Sequence, residues 1–286
     1  MDKVNGLLIF LIAFIGITLV HILIPADIEE ITYFSYITNL AVVVFAGFTI
    51  YYGYQASKDL GIESPQGKAF FFLTGGYVLW MVAEFIWFLY DVTIHSVAVV
   101  TPADIFWLLG YVLMYIGLYI AIKATKDLLN KKTIILSLII FVTLVALVSI
   151  YLIYPVLSYE EYSFAEKVIT IVYPIGDLIM VFGAIFVIVP LLGSTIAKTW
   201  IMITGGMFIF FISDSVYGYL VWNEIYYIAT TQSQWLSGGS DVIYYLCYLL
   251  PALGFYYHLN SKVEKIEAEK KAKKEMNEKV RKELEE

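Results

Sequence analysis

The chain has 286 residues, of which 60% are hydrophobic and only 15% charged. Soluble domains run near half apolar and a quarter charged, so this composition excludes a soluble globular protein and points to one embedded in a bilayer. The net charge of −7 comes with no basic, aromatic-interleaved patch, which excludes nucleic acid as a partner, and the single Cys247 excludes an intrachain disulfide.

Apolar runs of the ~20 residues needed to cross a bilayer are expected near 6–24, 32–54, 69–90, 104–122, 133–156, 168–190, 199–222 and 241–258. They are read as helices, because irregular backbone and open sheet edges cannot face lipid. The expected fold is an all-α polytopic membrane protein with eight transmembrane helices. The first run has the look of a secretory leader, but its apolar core is long. Ile24 also stands where cleavage after Ala26 would need a small residue. It is read as a retained first span.

Connections at 55–68, 123–132 and 191–198 carry Lys58, Lys68, Lys123, Lys126, Lys131, Lys132 and Lys198, whereas the alternate ones carry only Lys167. The positive-inside rule then places both termini in the cytoplasm of a multi-pass cell-membrane protein. The outer connections hold Asp27, Glu29, Glu30, Glu160, Glu161, Glu166 and Glu224. These acids are either ordinary loop residues or a negative funnel that gathers cations at the outer mouth. The segment 261–286 is rich in Glu, Lys and Ala, a helix-forming composition. Its apolar stripe Ala268, Ala272, Met276, Val280, Leu284 has i, i+4 spacing, not an alternating coiled-coil seam. It is expected to prolong the last span into the cytoplasm as a charged helical tail.

The chain writes one stretch twice. TGGYVLWMVAEFIWFLY at 74–90 is matched by TGGMFIFFISDSVYGYL at 204–220, and the carboxylates Glu84 and Asp214 stand 130 positions apart. Asp104 within ADIFWLLGY at 103–111 matches Asp241 within SDVIYYLCY at 240–248, 137 positions on, and Gly117-Leu-Tyr119 matches Gly254-Phe-Tyr256 at the same offset. More weakly, Asn39 aligns with Asp177. Self-similarity of this kind signals repeated units. The expected organisation is a four-helix repeat at 1–127, a second parallel one at 128–260, and the tail at 261–286, with the halves related about the membrane normal.

A carboxylate inside an apolar span is costly and is a functional candidate by default. At ~1.5 Å per residue, Glu84, Asp177, Asp214 and Asn39 fall in the outer third of their spans. Asp104 and Asp241 come at the outer ends of theirs, either at the mouth of a site or as caps of helix N-termini. Trp80, Glu84 and Trp87 share one helix face, Phe210, Asp214 and Tyr217 another, and Tyr173 stands one turn before Asp177. With 24 Tyr, 19 Phe and 6 Trp such spacings also arise as interfacial belts. The candidate ligand-binding set is therefore Glu84, Asp177, Asp214, Asn39, Asp104, Asp241, Trp80, Trp87, Tyr173 and Tyr217. His21 and His95 near the outer surface would complete a divalent-metal site with these acids, or are interfacial histidines; metal and cofactor stay open. His258 is read as unconnected at the inner end.

ADIFWLLGY at 103–111, YPIGDLIM at 173–180, DSVYGYL at 214–220 and GGSD at 238–241 together resemble the multi-span N-terminal membrane regions that precede GGDEF or histidine-kinase domains in bacterial and archaeal signalling proteins. The resemblance implies a sensor or input module of an inner membrane, with Asp104, Asp177, Asp214 and Asp241 at the positions of its recurring Asp. It departs in one respect: no output domain is expected after the tail, so a signal would pass to a cytoplasmic partner through 261–286. Tyr90-Asp91, Ile175-Gly176-Asp177 and Pro251-Ala252-Leu253 look like the motifs of intramembrane aspartyl proteases, but Pro174 replaces the first Gly and Asp91 falls at the outer end of its span. The expected function is non-enzymatic: a membrane-embedded sensor with an outward-facing acidic, aromatic-lined pocket for a cation or small polar ligand. An ion- or proton-coupled transporter or channel and the protease are the alternatives.

Overall fold

The computed structural model describes residues 3–23, 31–94, 100–160, 162–194, 196–223, 225 and 235–261; side chains at 3–7, 20–23, 31–35, 91 and 94 fall outside that description. The expected tail helix lies outside the described residues. Within them every regular element is helical: α1 (Lys3–Leu23), α2 (Ile31–Leu60), α3 (Pro65–Ile94), α4 (Ala103–Thr125), α5 (Lys131–Ser158), α6 (Phe164–Leu191), α7 (Ala197–Trp222) and α8 (Trp235–Ser261). α2 to α8 are seven helices long and apolar enough to cross a membrane, while the described apolar part of α1 is Leu8–Leu19.

Local chemistry sets the helix ends. Asn130 caps α5 by accepting from Thr133 N at 2.9 Å. Gly61 and Gly193, with φ of 81° and 85°, follow α2 and α6 in the left-handed conformation that ends many helices. Ser163 and Glu166 form a reciprocal capping box at the start of α6. Glu166 is thus a helix-end residue and not a loop acid, a role already written in the Ser-Phe-Ala-Glu spacing. α5 widens into a π turn over Ser149–Ile153. Pro155 follows two residues later, where its missing N–H and ring oppose regular i→i−4 bonding.

α8 begins well before the expected position. Asp241 consequently sits inside the helix, six residues from Trp235, and does not cap its N-terminus. The pair Gly238-Gly239 does not break the helix, as glycine is tolerated where a membrane leaves the backbone no partner but itself.

In lipid, helices gain little from apolar burial and associate through close backbone approach at small residues. A Cβ on Gly76 would stand 2.5 Å from Met114 Cγ and 3.0 Å from Gly110 O, which brings α3 onto α4. A Cβ on Gly206 would stand 2.5 Å from Pro251 Cδ and 3.1 Å from Cys247 O, bringing α7 onto α8. Gly117 meets Leu73 and the Ala69 carbonyl, and Gly254 meets Ile203 and the Thr199 carbonyl. α3 and α7 face each other through the Trp80–Phe210 and Phe70–Trp200 ring pairs. α8 reaches α2 through Thr49 Oγ1, which donates to Tyr248 O at 2.6 Å. α6 packs on α4, α5 and α7, and α1 touches the bundle through Phe10, against Phe48 and Tyr256. α5 is peripheral, with Ile135, Val142, Ile150 and Tyr154 exposed as a lipid-facing surface would be.

Candidate functional site

The centre of the bundle holds a set of carboxyl groups tied together by aromatic side chains. Glu84, one turn beyond Trp80 on α3, is buried, and its Oε1 accepts from three donors: Trp107 Nε1 at 3.3 Å, Tyr248 OH at 2.7 Å and Tyr244 OH. The first comes from α4 and the others from α8, so one carboxylate oxygen gathers three helices.

Asp177 on α6 is 0% exposed. Tyr111 OH donates to its Oδ1 at 2.6 Å, and its Oδ2 is buried with no hydrogen-bond partner. Gly176 makes room for α4 here: Tyr115 OH donates to the Gly176 carbonyl at 2.8 Å, and a Cβ on Gly176 would stand 3.0 Å from that hydroxyl. Asp104 Oδ2 accepts from Thr101 N at 2.6 Å and Thr101 Oγ1 at 3.2 Å, and its Oδ1 from Tyr173 OH. It therefore joins both expectations, holding the start of α4 and tying α4 to α6.

Asp214 on α7 is half-buried and has no hydrogen-bond donor among the described residues. It lies within electrostatic reach of Asp177 and Glu84, and also of Tyr111, Tyr173, Tyr217 and Tyr244. It stands among the other groups.

Rings fill the space between the acids. Trp80 stacks on Phe210 and meets Tyr111 edge-on at 5.3 Å, while its Nε1 donates to Trp107 O at 3.0 Å. Phe210 touches Tyr244 at 5.6 Å, Trp107 meets Tyr173 at 6.3 Å, and Trp87 meets Trp107 at 5.9 Å. Trp80 is only 1% exposed, so it is a core residue supporting the acids from beneath. Tyr217 lies near Asp241 as well as Asp214, and Asp241 also near Tyr245. Asn39 is half-buried on α2.

No protein-family model, curated protein or solved structure matches the chain. Geometry and chemistry alone carry the functional reading from here on.

Every donor that reaches Glu84, Asp104 or Asp177 is neutral: tyrosine, tryptophan, threonine or backbone. Carboxylates taken out of water need pairing or protonation, and no Lys, Arg or His among the described residues supplies it. Such a cluster disfavours anions, and its carboxyl groups call for protons or an opposite charge. No group of three or more His, Cys, Asp or Glu placed to hold a metal ion occurs among the described residues. His95 and the side chains of His21 and Asp91 lie outside them, so the divalent-metal and protease expectations that used them rest on the sequence.

Four donors escaped the sequence reading: Trp107, Tyr111, Tyr244 and Tyr248. A signal existed, since Trp107 and Tyr244, and Tyr111 and Tyr248, hold the same places in the two copies of the Asp104 and Asp241 stretch. His258 is not unconnected: its Nε2 stands 3.5 Å from Asp59 Oδ2 and its ring meets Phe70 edge-on.

Proposed function

We propose that the chain is an eight-span, non-enzymatic sensor module of the cell membrane. In this reading it is built of two four-helix repeats, and it takes a cation or small polar ligand at Glu84, Asp177 and Asp214 from the outer side. The observation that carries the reading is that buried Glu84 and Asp177 are met only by neutral donors among the described residues, with Asp177 Oδ2 left unpartnered and half-buried Asp214 within electrostatic reach of both. A ligand that neutralises it would draw α3, α6 and α7 together with α8, the helix that bears Tyr244 and Tyr248 and leads into the tail. Only differential binding to two packings can drive such a shift. The cytoplasmic partner would read it through 261–286.

Support for the repeats comes from contacts that recur at the sequence offsets. Gly76 against Gly110 and Met114 corresponds to Gly206 against Cys247 and Pro251, and Gly117 against Ala69 and Leu73 to Gly254 against Thr199 and Ile203. The test is thermal unfolding of the purified protein against a panel of cations. The wild type is expected to be stabilised by at least one, and the Glu84→Gln, Asp214→Asn double variant by none. An unchanged response in the double variant contradicts the site.

One observation favours a second reading, an ion- or proton-coupled transporter on the same architecture. The His258–Asp59 pair supplies ionisable groups at the opposite end of the bundle from the acid cluster. Flux into proteoliposomes separates the two, since a sensor passes no ion.

A further inference from the structure

We infer that Asp177 is the proton-binding residue of the acid cluster: in the described packing it holds a proton while Asp214 holds the charge, and release of that proton parts α4 from α6. This rests on the cation-site reading above; it names the cation held at Asp177 and the event that admits a larger one.

The seat at Asp177 has room for nothing larger. The residue is 0% exposed, so nothing the size of a water molecule lies against either oxygen. The rings beyond it are buried against one another: Tyr111 meets Trp80 and Phe210, and Trp80 stacks on Phe210. Oδ1 accepts one hydrogen bond, from Tyr111, and Oδ2 has no partner. An ionised carboxylate in that position is an unpaired charge out of water. A protonated one leaves at most one O–H without an acceptor, a far smaller cost.

The groups that face Asp177 agree. Tyr111 and Tyr115 on α4, Asp214 on α7 and Cys247 on α8 lie within its electrostatic reach, and none of them can bring a positive charge. α5, which also packs on α6, has Lys131 and Lys132 in its first turn and Tyr151 and Tyr154 in its second half, all exposed. Two carboxylates in mutual reach resist ionising together, and the more deeply buried one keeps the proton. Asp214 has part of its surface exposed and is the partner that stays ionised. The seam around Asp177 is closed by Tyr111 OH on Oδ1 and by Tyr115 OH on the Gly176 carbonyl. When the proton passes from Oδ2 to solvent, the charge left behind has one donor. Only water or a cation entering between α4 and α6 can supply the rest.

The experiment follows the carboxylic-acid C=O band in infrared spectra of the detergent-purified chain in D₂O at neutral pH. The wild type is expected to show the band, Asp214→Asn to keep it, and Asp177→Asn to lose one carboxyl's share of its intensity. Should Asp177→Asn fail to fold, Tyr111→Phe serves: it keeps the acid and frees Oδ1 of its hydrogen bond, so the band should move to higher frequency at unchanged intensity. A band that is absent from the wild type, or neither reduced by Asp177→Asn nor moved by Tyr111→Phe, overturns the assignment and leaves the cation site standing on its own test. NaCl, KCl and CaCl₂ at equal ionic strength then separate the two readings. A salt that raises the unfolding midpoint should also remove the Asp177 band, as the proton leaves. A salt that raises the midpoint while the band stays overturns proton release as the opening step. No rise with any salt, with the Asp177 band in place, upholds the proton site and overturns the reading of a larger cation.

Discussion

Trp80 and Phe210 stack face to face across α3 and α7, with ring centroids 4.2 Å apart and planes 21° from parallel. They hold the same position in the two Thr-Gly-Gly stretches, and Phe70 and Trp200, also equivalent, meet at 5.3 Å. Residues related by a two-fold touch their own equivalents only near its axis. In the proposed two-repeat architecture that axis runs between α3 and α7, beneath the acids.

The stack should therefore be cooperative. Trp80→Ala or Phe210→Ala alone is expected to cost about 3–5 kcal/mol. The double variant should lose less than the two together by ~0.5–1.5 kcal/mol, the worth of the ring pair itself. A double-mutant cycle on reversible unfolding in mixed micelles measures this.

Backbone approach at Gly76 and Gly206 should be intolerant of side chains. Gly76→Val and Gly206→Val each drive a Cβ into Met114 or Pro251 and are expected to cost about 1–3 kcal/mol or more. A Cβ on neighbouring Gly205 meets no atom within 4 Å among the described residues, so Gly205→Ala should be nearly neutral in the same assay.

Stability and ligand response should separate at Glu84. Tyr248→Phe removes a donor from a buried carboxylate and is expected to cost about 1.5–3 kcal/mol. Glu84→Gln keeps an amide oxygen for the same three donors and should cost less, yet it removes the charge. Thermal unfolding with and without cation should rank the two variants in opposite order for stability and for response.

At the other end, His258→Ala frees the end of α8 from Asp59 and Phe70. Hydrogen exchange is expected to quicken over 255–261, while the cation response at the acid cluster stays as in the wild type. A lost response would mean that the two ends act as one pathway, the behaviour of the transport reading.

The membrane class was legible because composition alone forbids a soluble core, and the acids were legible because Glu84, Asp177 and Asp214 interrupt apolar runs. The donors were not, for a physical reason. A tyrosine that bonds a buried acid and one in an interfacial belt look alike in a chain with 24 Tyr. Only the match of Tyr111 to Tyr248 and of Trp107 to Tyr244 distinguished them. Of the two roles open to Asp241, the cap falls away because α8 begins at Trp235 and runs straight through Gly238-Gly239. The His258–Asp59 pair joins residues 199 positions apart with no local pattern to announce them.

The central claim is that the acid cluster, with no Lys, Arg or His counter-ion among the described residues, exchanges protons for a bound cation. Calorimetric titration of the cation that most raises the unfolding midpoint of the wild type, in two buffers of different ionisation enthalpy, tests it most directly. The account predicts a binding heat that differs between buffers, because protons leave as the cation enters, and no binding in Asp177→Asn. Equal heats in both buffers, or binding undisturbed by Asp177→Asn together with Asp214→Asn, would contradict it.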